Sequence, residues 1–164
     1  MQEITLEYLL NHHFEKTGLE KDHFTKPNAS LRFSPNQLSQ LPRSDNDKMT
    51  DLKIAMSDIQ FNKKMSQSEF EVRTNILYNS FKKCVNSLNA SNRRVSREML
   101  AKFVVGMGLS YEEADTLFAL ESQPLSPEHV LLDAVVVHCI QNKYDISEFY
   151  ETCGQVNLGV KMIV

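Results

Sequence analysis

The chain has no proline between Pro42 and Pro124, and this long gap is the feature that most constrains its fold. Because proline breaks helix interiors, such a gap leaves room for several consecutive helices. Along the chain, apolar residues recur at spacings of three and four, which is typical of amphipathic helices. No two-residue hairpin signal interrupts them. The sequence therefore predicts an all-α fold, a compact multi-helix bundle.

Helix ends are predicted from capping residues, prolines and glycines. Val135, Val136 and Val137 would also suit a buried strand, but the length of the apolar stretch around them favours a central helix. The predicted helices cover about residues 4–16, 50–65, 68–74, 77–88, 96–108, 110–118, 126–140 and 145–154. The third and the sixth are predicted to begin with capping boxes, Ser68 with Glu71 and Ser110 with Glu113. Ser96, the pair Ser126 and Pro127, and Asp145 are predicted to start the fifth, seventh and eighth helices, and glycines 106, 108 and 154 are predicted to end the fifth and the eighth.

Composition divides the chain into two predicted parts. Residues 1–48 combine an amphipathic helix with a proline-containing linker, and residues 49–164 form the helical domain. The apolar stripe of the first helix is expected to dock on the chain's own domain, since large exposed apolar patches are rare on stable monomers. The linker is expected to dock in part.

The net charge of −3 conceals a segregation along the chain. Residues 59–108 carry nine basic and three acidic side chains, a net +6, whereas residues 109–164 carry two basic and nine acidic ones, a net −7. The split suggests one face offered to an anion, although two solvated surfaces of one domain would give the same totals.

Targeting signals and cysteines bear on the compartment. Apolar runs are far shorter than the ~20 residues of a membrane span, and the first residues lack the pattern of a signal peptide. The three cysteines, Cys84, Cys139 and Cys153, occupy apolar periodic positions and are interpreted as reduced core thiols. A cytoplasmic protein without membrane contact is expected.

Two short helices and a tight turn around residues 68–88 form the pattern of a helix-turn-helix unit. Opposite the apolar stripe of the second helix lie Asn79, Lys82, Lys83 and Asn86, spaced to share one face. Asparagine can pair with adenine, and lysine can donate to guanine or to phosphate. Arg97, beyond the second helix, is also predicted to contact a phosphate. The predicted DNA-binding residues are Arg73, Tyr78, Asn79, Lys82, Lys83, Asn86, Arg93 and Arg94. A solvated helix face of no function would have the same composition.

Residues 51–159 resemble the repressor-like domains of the Cro/XRE helix-turn-helix superfamily, in the variety found in Firmicutes. The recognition section and the closing element carry the resemblance: Glu69, Arg73, Asn75, Ile76, Phe81 and Lys83, then Arg93 and Arg94, then Leu125, Ser126 and Pro127, and finally Ile140, Asn142, Tyr144, Asp145, Ile146 and Glu148. It implies a lambda-repressor-like fold and a bacterial, cytoplasmic transcriptional regulator that binds double-stranded DNA. The start of the recognition helix departs from the family, with Leu77, Tyr78 and Asn79 in place of a polar cap and two basic residues, and with Ser80 where a core leucine is usual.

Catalysis and metal binding have little support in the sequence. His12 and His13 diverge on one helix, and no cysteine pair has zinc-ligand spacing. We expect no enzyme, no catalytic residues, no metal and no cofactor. The first hypothesis is a DNA-binding regulator, which would gain affinity and half-site spacing by forming a two-fold homodimer. The second is a non-enzymatic protein-interaction module on the same scaffold, such as a phage- or defence-associated adaptor or inhibitor.

Overall fold

A computed structural model of the protein describes residues 2–20, 45–86 and 94–163, and these ranges are helical, as predicted. Apart from one isolated bridge between Lys16 and Val130, they contain no β-structure. The all-α prediction is therefore confirmed. The helices are α1 Leu6–Asn11, α2 Asp45–Asn62, α3 Gln67–Thr74, α4 Tyr78–Asn86, α5 Arg97–Met107, α6 Tyr111–Glu121, α7 Leu131–Asn142 and α8 Ile146–Gln155.

Several helix starts coincide with the predicted capping residues. The Ser96 hydroxyl accepts from the Met99 amide at 3.0 Å at the start of α5. Ser110 with Glu113, and Asp145 with Glu148, form reciprocal capping boxes before α6 and α8. At these three starts the cap satisfies amides that lack a partner within the helix, which is why a short sequence signal could locate them.

Two predicted starts are wrong. The cap of α3 is Ser66, whose hydroxyl accepts from the Glu69 amide, rather than Ser68. Glu71 instead accepts from the Tyr78 amide and so caps α4. Residues 127–129 form a turn, and α7 begins only at Leu131, because Val130 pairs with Lys16 in an extended conformation.

Helix ends depart from prediction at three glycines. Gly108, with φ 66°, does end α5, but Gly106 lies inside that helix. Helix α8 likewise passes through Gly154 to Gln155. The first helix stops at Asn11, well before Gly18. At α4 the described chain ends with Asn86, so the predicted extension to 88 lies outside the described residues.

Helix α5 lies at the centre of the bundle and packs against α3, α6, α7 and α8, while α2 packs against α4 and α6. Its Leu100, Phe103 and Val104 side chains are fully buried. Val135, Val136 and Val137, which would also suit a buried strand, lie on helix α7 and are fully buried there. In this arrangement α3 packs on both α4 and α5, and the acidic helices α6 and α8 also pack on α5.

The N-terminal segment docks on α7 through backbone contacts. The Gln141 side chain accepts from the Ile4 amide at 2.8 Å and donates to the Gln2 carbonyl oxygen at 2.9 Å. The ring of His138 contacts the Ile4 carbonyl oxygen, and Ile4 and Leu9 are buried. The expectation that this segment packs on its own domain agrees with these contacts. Most of the predicted linker lies outside the described residues.

Candidate nucleic-acid interface

The α3 and α4 helices are joined by a turn of three residues, Asn75, Ile76 and Leu77. Asn75 has a left-handed backbone, with φ 53° and ψ 37°, and its amide donates to the Glu71 carbonyl oxygen. Asparagine tolerates this conformation better than most residues. The Ile76 amide donates to the Thr74 hydroxyl at 3.2 Å, inside the turn. The turn between the two short helices therefore contains hydrogen bonds of its own.

Three phenylalanines attach this helical pair to the core. Phe70 of α3, Phe81 of α4 and Phe103 of α5 are fully buried, with ring centroids 4.8 Å apart for Phe70 and Phe81 and 5.5 Å apart for Phe81 and Phe103. Cys84 and Val85 bury the remainder of the same stripe on α4. Since this stripe faces inward, the opposite face of α4 must face outward.

The outward face of α4, hereafter the α4 face, consists of Asn79, Lys82, Lys83 and Asn86. Asn79, Lys83 and Asn86 are exposed, and Lys82 is half-buried with its ammonium 5.6 Å from the centre of the Tyr78 ring. In the described part of the chain neither lysine forms an ion pair with a carboxylate. The α4 face therefore presents two cations and two amides to solvent together.

The other predicted site residues lie outside the α4 face, each with its own contacts. Tyr78 is half-buried, with its ring edge-on to Phe70 at 5.8 Å. Arg73, across the turn on α3, is exposed and pairs with Glu69 at 3.2 Å. Arg94 lies before α5, where it lines a cleft with Ser96 and Glu121. Arg93 lies outside the described residues.

Arg97 does not face a phosphate position and is a correction to the sequence interpretation. Its guanidinium is 2.7 Å from Asp133 and 2.8 Å from Glu121, and its side chain is only 10% exposed. Burial alone would lower the pKa of Arg97, but hydrogen bonds to Asp133 and Glu121 raise it. Lys102 of α5 is also buried. The basic charge counted along the middle of the chain is therefore partly internal.

Two further lysines next to the helical pair belong to the basic segment but are not among the predicted DNA-binding residues. Lys63 and Lys64 are exposed in the turn that leads from α2 into α3. Their position just before the Ser66 cap is a signal that could identify them. The start of a helix favours a bound anion such as phosphate, and these lysines would lie near that anion. They extend the set of exposed cations at the helical pair.

The described residues contain no cluster of three histidine, cysteine or acidic side chains able to hold a metal ion. None of their helices is both long and apolar enough to span a membrane. Comparison with protein-family models, with curated proteins and with solved structures found no match to this chain.

The three cysteines are buried free thiols, as the sequence predicted. Burial, followed by the nearby Cys153, raises the pKa of Cys139 to about 12, and burial with Glu98 does the same for Cys153. We expect a chromogenic disulfide reagent at pH 8 to modify Cys139 and Cys153 only as the protein unfolds, because both thiols are buried and their raised pKa values disfavour the reactive thiolate. Addition of denaturant should make all three thiols accessible to the reagent. Rapid modification of Cys139 or Cys153 in the folded protein would contradict this.

Proposed function

We propose that this protein is a helix-turn-helix transcriptional regulator that binds double-stranded DNA through the α4 face. The observation that carries the proposal is a short helix, a three-residue turn and a second short helix whose outward face holds Asn79, Lys82, Lys83 and Asn86, where neither lysine pairs with a carboxylate of the described residues. A helix of this kind fits the major groove, where its N-terminal residues reach base edges. The resemblance to the Cro/XRE superfamily supports the same proposal.

The proposed contacts follow from the chemistry of each side chain. Asn79 and Asn86 would pair with the N6 and N7 edge of adenine, and Lys82 and Lys83 would donate to guanine or to phosphate. Arg73 is on the neighbouring helix and would contact the backbone, exchanging its exposed pair with Glu69 for a phosphate. Arg93 and Arg94 remain proposed phosphate contacts beyond α4. A two-fold dimer would place two copies of α4 on adjacent half-sites.

Charge reversal on α4 tests the proposal. With a pool of random duplexes, wild-type binding should weaken steeply as salt rises, because lysines displace counterions from phosphate. In Lys82→Glu with Lys83→Glu, affinity should fall at least about a hundredfold, and the salt slope should fall by about two. Binding is measured by fluorescence anisotropy at several salt concentrations, with the helical circular dichroism unchanged.

The matched control reverses Lys16 and Lys143, two exposed lysines outside the helical pair. It changes the net charge by the same amount and should retain most of the wild-type affinity. If the wild type shows no salt-sensitive duplex binding, the proposal is wrong. If both double variants lose binding equally, the attraction is a property of net charge and not of α4.

A protein-interaction module is the second candidate, and one observation favours it. Val72 and Leu77, on either side of Asn75 in the chain, are 76% and 48% exposed. Met162 is 58% exposed and precedes Ile163 in the chain. The Ile163 backbone amide donates a hydrogen bond to the Asn75 side chain, so Met162 lies near the turn. Exposed apolar residues gathered in one region are typical of protein interfaces. A protein partner recovered at fixed stoichiometry after nuclease treatment, and lost in Val72→Ser with Met162→Ser, would favour this candidate.

A further inference from the structure

Residues 159–163, hereafter the strap, run from the end of α8 back to the turn between α3 and α4. The Asn75 side chain binds the backbone of Ile163 in both directions: its amide donates to the carbonyl oxygen at 3.2 Å and its oxygen accepts from the amide at 2.8 Å. These residues are 88 positions apart in the chain. The left-handed residue of the turn is thus tied to a distant segment.

The strap is itself held by α5 and α8. The Lys161 amide donates to the Glu98 carboxylate at 2.7 Å, and the Lys102 ammonium lies 3.4 Å from the Lys161 carbonyl oxygen. The Tyr150 hydroxyl lies 2.8 Å from the Asn75 side-chain oxygen and 3.1 Å from the Lys161 carbonyl oxygen. One tyrosine therefore joins α8, the strap and the turn.

The Tyr150 hydroxyl acts as a donor at this junction. Burial, followed by Glu98 and Cys153, raises the pKa of Tyr150 to about 12, so the hydroxyl keeps its proton. Its acceptor, the Asn75 oxygen, also receives the Ile163 amide, and both hydrogen bonds pull on the same side chain. Groups that accept two such bonds have little freedom to reorient.

We propose that the strap positions the recognition helix: Asn75 and Tyr150 are positioning residues that fix the turn, and hence the angle at which α4 meets DNA. The inference rests on the proposed DNA binding of α4. Neither residue needs to touch DNA for this role. A surface held in its bound geometry before binding loses less conformational freedom on association, which raises affinity. Without the strap the turn would keep its local hydrogen bonds and the packing of α3 on α5 and of α4 on α2.

Asn75→Gly is the sharpest test, because glycine adopts φ 53° without strain yet removes the side chain that binds the strap. Tyr150→Phe keeps the ring and removes only the hydroxyl. Hydrogen exchange of the Ile76 and Tyr78 amides reports on the turn directly, with no DNA present. Duplex affinity, measured by anisotropy on the same samples, reports on the consequence for binding.

Both hydrogen exchange at the turn and duplex affinity should change in both variants. Exchange at Ile76 and Tyr78 should accelerate about tenfold in Asn75→Gly while the amides of α7 stay protected, and duplex affinity should fall about tenfold, as expected for losing a few net hydrogen bonds. Tyr150→Phe should show about a threefold change in each. The matched control is Asn157→Gly, an exposed asparagine with φ 57° after α8, which should alter neither.

The outcomes separate this inference from the proposed function. Unchanged exchange at the turn in both variants overturns the positioning role without reference to DNA. Faster exchange with wild-type affinity shows that the strap fixes the turn but does not govern binding, which also overturns it. Absence of duplex binding by the wild type overturns the proposed function, and the inference with it. If Asn75→Gly fails to fold, Tyr150→Phe decides between these results.

Discussion

Gly106→Ala should destabilise the protein by about 1–3 kcal/mol, although alanine is the better helix former by roughly 1 kcal/mol. A Cβ at this position would clash with the Arg73 carbonyl oxygen and would lie 2.7 Å from the Thr74 Cα. Both are backbone atoms at the end of α3, so they cannot turn aside as a side chain can. Helix α3 would have to move away from α5, and the contacts of Phe70 with Phe103 would loosen. Chemical denaturation monitored by circular dichroism measures the change.

The same substitution at Gly154 is the control and should have the opposite sign. Gly154 also lies within a helix, α8, but among the described residues no atom beyond its chain neighbours and the backbone of its own helix lies within 4 Å of the position a Cβ would take. Gly154→Ala should therefore stabilise the protein by about 0.5–1 kcal/mol. Equal effects of the two substitutions would show that helix propensity, and not the close approach of α3 to α5, determines the role of Gly106.

These two glycines show what limits prediction from the sequence. Like Gly108, both are predicted from the sequence to end helices, because glycine near the end of an apolar stripe is a common C-terminal signal. That interpretation holds at Gly108, whose φ is positive, and fails at Gly106, which is needed for a close helix crossing. A cap depends on residues a few positions away, so it can be recognised locally. A crossing depends on α3, some thirty residues earlier, and has no local signature.

The candidate site divides in the same way. The α4 face could be predicted because a helix with one apolar stripe fixes which residues point outward, and Asn79, Lys83 and Asn86 are exposed. The turn residue Asn75 was recognised only as part of a motif, and its contact with Ile163 could not be predicted, because the strap has no helical period. Charge counts along the chain were least informative. They include cations that the fold places inside.

Among those internal cations, Arg97 should be required for stability. Arg97→Met should lower the free energy of unfolding by about 3–5 kcal/mol, because it removes the cation from a nearly buried pair of carboxylates. The Asp133 side chain is fully buried, and that of Glu121 is 5% exposed. Among the described residues, Asp133 would keep one backbone donor, the Ser126 amide, and Glu121 would keep the Ser122 hydroxyl. The guanidinium also lies 4.7 Å from the Phe118 ring centre, a contact that would be lost.

Arg73→Met provides the contrast, because it removes the same charge from an exposed pair. Arg73 and Glu69 are 51% and 48% exposed, so their pairing should contribute less than about 0.5 kcal/mol. The two variants should therefore have opposite profiles, one affecting stability and the other affecting DNA affinity. Arg97→Met should lose stability yet bind duplex DNA normally at a temperature where it is folded, whereas Arg73→Met should keep its stability and lose affinity, with a salt slope lower by about one. If Arg73→Met binds DNA as the wild type does, α3 contributes no phosphate contact through this residue, and the proposed interface contracts to α4.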